Sequence, residues 1–144
     1  MKPFVKAYPL VAANLLFAMW VVIETVFAGG EPALWLYVPA AAYVSYLIWI
    51  YRGKFDRRFF WPDKVGDFAG QFKYTVKMDL YIFRDELPLS TKLKWRLLMF
   101  FYNMLFLLPS MYLVVMTDEF AYGTIFIIAM IPFHLILKKK GIMK

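Results

Sequence analysis

The sequence predicts an all-α integral membrane protein of four transmembrane helices, arranged as two hairpins with one large loop between them. Three observations carry that expectation. Four apolar stretches recur along the 144 residues, each close to the roughly 20 residues that cross a hydrocarbon core. Hydrophobic residues make up 62% of the chain and the mean hydropathy is +0.58, more than a soluble core of this size requires. All 17 Lys and Arg residues fall in segments that the stretches put on one side of a bilayer. These segments are Lys2 and Lys6, the run from Arg52 to Arg96, and Lys138, Lys139, Lys140 and Lys144. The turns on the other side, Gly29-Gly30-Glu31 and Thr117-Asp118-Glu119, contain no Lys or Arg. Cationic side chains flanking membrane helices are retained in the cytoplasm, so both ends of the chain and the large loop are expected there.

The first span is expected over about 8–28, with Asn14 and Glu24 as polar residues inside it. Val26-Phe27-Ala28 resembles a signal-peptide cleavage site. The apolar run from Tyr8 to Ala28 is longer than an h-region of about 7–15 residues, which favours an uncleaved anchor. Gly29-Gly30-Glu31-Pro32 makes a tight turn, and a second span follows over about 33–51. Trp35 and Tyr37 at one end of it and Trp49 and Tyr51 at the other match interfacial aromatic belts. The third span is expected over about 97–116, with Ser90 as N-cap and Thr91–Arg96 as a basic helical turn below the membrane. The fourth covers about 120–137 and carries Pro132. The whole chain, 1–144, reads as a single membrane domain.

The loop, about 52–96, opens on a basic patch from Arg52 to Arg58. Between residues 65 and 83 two periods compete. Phe72, Tyr74, Val76, Met78, Leu80 and Ile82 alternate as in a strand, whereas Val65, Phe68, Phe72, Val76, Leu80 and Phe83 follow helical spacing. A lone strand would have open edges, so an amphipathic helix on the cytoplasmic face is preferred.

Composition excludes several chemistries. With no cysteine, disulfides, thiolate metal sites and cysteine nucleophiles are ruled out. The net charge of +7 is accounted for by the positive-inside bias and by attraction to anionic lipid headgroups, so no nucleic-acid partner is expected. His134 is the single histidine, with no ligand set around it in sequence, and is expected at the headgroup level. Asp63, Asp67, Asp79, Asp85 and Glu86 lack any accompanying catalytic motif. The expectation is therefore a non-enzyme with no catalytic residues, no metal and no cofactor. Asn14, Ser45, Asn103 and Ser110 read as interhelical hydrogen-bonding groups, and Ala41 with Ser45 as a small-residue face for close helix approach. Glu24, ionisable within a span, is the one candidate for a proton relay or an ion ring.

Size, helical spans, terminal lysines and a cytoplasmic loop together resemble small bacterial inner-membrane proteins that protect their host. These are entry-exclusion proteins of conjugative elements and immunity proteins against pore-forming toxins. The resemblance implies a location in the bacterial inner membrane and a specificity region within Lys54–Glu86 that meets another membrane or transfer-apparatus protein. Aromatic side chains dominate binding hot spots, so Phe59, Phe60, Trp61, Phe68, Tyr74 and Tyr81 are the expected partner-binding residues. The same aromatics suit lipid anchoring equally well. The alternative function is a small subunit of a membrane complex, or a homo-oligomeric channel of the holin type with Glu24 in its ring.

Overall fold

The computed structural model describes the backbone of residues 3–30, 32–51, 66 and 68–144, and within these ranges the side chains from Tyr8 onward. Every regular element among them is helical. Helix α1 spans Pro3–Phe27, α2 Tyr37–Ile50, α3 Phe68–Asp79, α4 Leu89–Thr117 and α5 Ile125–Lys139. Short 3-10 turns at Leu34–Leu36 and Phe120–Thr124 lead into α2 and α5, and a third, Leu80–Ile82, follows α3.

Three segments are long and apolar enough to cross a membrane: Tyr8–Phe27 (mean hydropathy 2.1), Leu89–Thr117 (1.8) and Phe120–Lys139 (2.0). They mark the chain as membrane-embedded. Leu34–Ile50 is apolar but shorter. Its 14 α-helical residues and three-residue turn rise about 27 Å, slightly less than a hydrocarbon core of about 30 Å. On α1, Leu16, Phe17 and Trp20 are 61%, 62% and 57% exposed, a density of bare apolar surface that lipid tolerates and water does not.

Polar and small residues join the helices. The Asn14 amide of α1 donates to the Ala41 carbonyl at 3.0 Å and to the Ser45 hydroxyl at 2.9 Å, across to α2. Ser45 is buried at that contact, and Ala40 is the other buried residue of α2. Gly29 and Gly30 both have positive φ, 107° and 75°, and the Gly30 N–H returns to the Thr25 carbonyl at 2.7 Å, closing α1. In the second hairpin Asp118 caps α4 in the left-handed conformation, with its N–H on the Val114 carbonyl at 2.9 Å. Fully buried Ser110 and Ala121 let α4 and the following turn approach closely. A side chain at Gly123 would meet Val114 Cγ2 at 3.5 Å.

Several boundaries differ from the sequence reading. Helix α4 begins at Leu89 and, as expected, includes the basic turn Thr91–Arg96 before running past Pro109 to Thr117. Pro88, not Ser90, is its N-cap: the Pro88 carbonyl accepts the Lys92 N–H at 3.2 Å, and proline's fixed φ suits this position. The fourth apolar run starts as a 3-10 turn before becoming α5, which continues to Lys139. In the loop the helical period prevails over the strand period, because an isolated strand would leave its backbone groups unpaired.

The Asn14 contact predicts a measurable coupling. Asn14→Ala is expected to lower unfolding stability by about 0.6 kcal/mol, the average for interhelical hydrogen bonds, and by no more than about 1.7 kcal/mol. A double-mutant cycle with Ser45→Ala, followed by detergent unfolding, should return a non-zero interaction term. Additive losses would mean that the two side chains do not act on each other.

Candidate functional site

The bulky buried core lies at the lysine-bearing end of the helices. Leu80, Ile82, Phe83, Leu137 and Met143 form one cluster, in which Phe83 is 0% and Met143 1% exposed. Lys140 ends α5, Gly141 takes φ 74°, and the chain turns back over Phe83. Two backbone bonds hold it: Arg84 N–H to the Ile142 carbonyl and Lys144 N–H to the Ile82 carbonyl, both 3.0 Å. Phe83 and Met143 thereby form an antiparallel bridge. The Lys144 ammonium lies 3.6 Å from the Tyr81 ring centroid and 3.4 Å from the Asp85 carboxylate. Gly141–Lys144 is therefore a clamp between α5 and the segment that follows α3.

A second tie comes from α4. The Arg96 guanidinium donates to Asp79 Oδ2 at 2.7 Å, joining the end of α3 to the first turns of α4. Both side chains are about one-third exposed or more, so the pair contributes about 0–1 kcal/mol and acts mainly on orientation.

From these ties α3 carries a graded apolar stripe at i, i+4 spacing. Leu80 at its anchored end is buried and Val76 half-buried, whereas Phe72 and Phe68 are 72% and 83% exposed. Lys73 and Lys77 are exposed on the same helix. Of the expected partner-binding residues, Phe68 is thus presented outward and Tyr74 is half-buried on the same helix. Tyr81 is part of the clamp, packed 5.5 Å from the Tyr51 ring beneath Lys144. Phe59, Phe60 and Trp61 lie outside the described residues, as do Asp63 and Asp67. Phe72, which forms the exposed pair with Phe68, belongs beside it; the helical stripe in the sequence contained that signal.

The intramembrane polar residues separate into distinct settings. Asn14 is spent on the α1–α2 contact. Glu24 is exposed on α1 between exposed Ile23 and Val26. Asn103 lines a cavity of about 300 Å³ bounded by α2, α4 and α5, with the Asp79–Arg96 pair also in its wall, and its Oδ1 has no hydrogen-bond partner among the described residues.

His134, one turn before Lys138, is packed into the helical bundle. It is 3% exposed, because α2 packs two tyrosines against it: Tyr46 at 5.4 Å and Tyr43 at 6.0 Å between ring centroids, both edge-on. Beside it, between α2 and α5, lies a groove of about 420 Å³. One turn further along α5 the Lys138 ammonium donates to the Tyr46 hydroxyl at 3.2 Å.

No family model, curated protein or solved structure matches this chain.

The clamp predicts a local loss of protection when its apolar plug is cut back. Met143→Ala should cost about 2–5 kcal/mol at that site. Hydrogen exchange at the Arg84 and Lys144 amides should accelerate, while amides of α1 keep their wild-type rates. Unchanged exchange at Arg84 would show that the clamp does not depend on Met143.

Proposed function

We propose that the chain is a non-enzymatic, four-span protein of the bacterial inner membrane, with its large loop and both ends in the cytoplasm. In this reading Leu34–Ile50 crosses the bilayer as the fourth span, with slight local thinning or interfacial anchoring by Trp35 and Trp49. The protein acts by recognising another membrane protein or a transfer-apparatus protein, in entry exclusion of conjugative transfer or in immunity to a membrane-acting toxin.

The observation that carries the proposal is the pair Phe68 and Phe72, held 83% and 72% exposed on a helix whose opposite end is tied to the helical bundle. A fixed, partly aromatic and partly basic helix has the composition of a binding hot spot, and its attachment lowers the entropy lost on binding. Tyr74 and the aromatics Phe59, Phe60 and Trp61 complete the proposed surface, while Tyr81 serves the clamp.

Three experiments test this reading. With no native cysteine, a single introduced thiol reports sidedness directly. Lys77→Cys should be labelled only from the cytoplasm and Glu119→Cys only from the periplasm; a periplasmic Lys77 would remove the basis for cytoplasmic recognition. Exchange of Lys54–Glu86 for the corresponding loop of another four-span protein of the same activity should transfer partner choice at equal membrane abundance. A correctly inserted chimera that keeps its original specificity would exclude the loop. Glu24→Gln should leave protection intact, whereas its loss at normal abundance would favour an oligomeric channel lined by that carboxylate.

A further inference from the structure

The groove between α2 and α5 contains a polar group that the recognition surface does not use. His134 is 3% exposed, and neither Nδ1 nor Nε2 has a hydrogen-bond partner among the described residues. Buried polar atoms are normally satisfied, and leaving one unsatisfied is costly, particularly in a segment surrounded by hydrocarbon. Nearby Tyr43 and Tyr46 meet the imidazole through ring edges and faces, which are weak partners for an N–H. The ring forms part of the groove wall, whose other contributors include Pro39, Ala42, Ile131 and Leu135. Such a trough accepts a hydrocarbon chain.

Its lysine-bearing end has the opposite character. Lys138 lies in the groove lining with its ammonium on the Tyr46 hydroxyl, and Lys139 and Lys140 follow. No carboxylate is among the lining residues. Lys138 lies four positions after His134 on the helix, an axial step of about 6 Å. A cation at the interface, a donor below it and an apolar trough beyond reproduce the order of groups along a phospholipid: phosphate, glycerol ester carbonyl, acyl chain.

We propose that this groove is a binding site for one anionic phospholipid. The phosphate takes charge-assisted hydrogen bonds from the Lys138 ammonium and the Tyr46 hydroxyl. An imidazole N–H of His134 donates to an ester carbonyl, and an acyl chain lies against Ala42, Ile131 and Leu135. The Lys138 ammonium in the groove selects a headgroup without a cation of its own, since a choline group beside it would be repelled. The site is independent of the partner recognised by α3 and of which leaflet faces the cytoplasm.

Native mass spectrometry of the purified full chain in detergent tests the assignment, with phosphatidylglycerol, phosphatidylcholine of the same acyl length, or inorganic phosphate added. One phosphatidylglycerol should bind with clear preference over phosphatidylcholine, and excess inorganic phosphate should not displace it. Lys138→Gln should weaken binding about tenfold, the scale of one charge-assisted hydrogen bond, whereas Lys139→Gln removes the same charge outside the groove and should have little effect. Ala42 is exposed, so Ala42→Phe fills the trough without disturbing packing and should abolish binding at unchanged melting temperature. His134→Phe keeps an aromatic ring between the two tyrosines and should weaken binding by removing the donor. Equal losses in Lys138→Gln and Lys139→Gln would reduce the effect to surface charge and overturn the site. Full binding by Ala42→Phe, or displacement by inorganic phosphate, would overturn it as a lipid groove, and full binding by His134→Phe would overturn the role of the imidazole.

Discussion

Phe83 lies at the junction of three elements, and its complete burial is the constraint on which the lysine-bearing end of the molecule depends. The turn after α3 brings it inward, Leu137 of α5 contacts it from one side, and Met143 covers it after the reversal at Gly141. Burying a phenylalanine contributes about 1.5–3 kcal/mol, comparable to several interhelical hydrogen bonds. The two flanking backbone bonds add direction to a non-directional force. Because the plug joins α3, α4 and α5, the amphipathic helix has a defined attachment to the bundle rather than a tether of variable length.

Elsewhere the helices are joined by different physics. Lipid chains are as apolar as leucine side chains, so burial provides little drive for association within the hydrocarbon. The contacts there rely on the Asn14 amide and Ser45, and on small buried residues such as Ser110 and Ala121; the Ser110 hydroxyl, expected to bond between helices, instead donates to the Phe106 carbonyl of its own helix. The large aliphatic and aromatic residues of α1 face outward instead. The chain is thus organised in two zones: a region of small and polar contacts between long helices, and a conventional apolar core at one end.

Helix α5 links the proposed recognition surface to the proposed lipid groove. Leu137 enters the core beside Phe83, while Lys138 and His134 line the groove against α2. Exposed Phe68 and Phe72 sit at the far end of the stripe that Leu80 anchors in that same core. Both surfaces are therefore built on one fixed end of the bundle, which is the condition for a surface to recognise a partner at low entropic cost.

Long-range apolar periodicity and the placement of every lysine and arginine were sufficient to predict an all-helical membrane chain, since each helix satisfies its own backbone and needs no distant partner to form. The Gly29-Gly30 and Asp118 turns, and the polar role of Asn14, were legible for the same local reason. Tertiary structure decided what sequence distance conceals. Nothing near His134 in the sequence shows that Tyr43 and Tyr46, roughly ninety residues earlier, bury its ring, and nothing near Phe83 shows that Met143 covers it. The loop's competing periods of two and 3.6 could not be separated on local pattern alone, and the helix was preferred because a lone strand would have open edges. The outcome followed from the lack of a partner strand among the described residues and from a core that receives Leu80 and Phe83. Local energetics selects helices, and only the arrangement of helices determines which side chains lose contact with lipid and water.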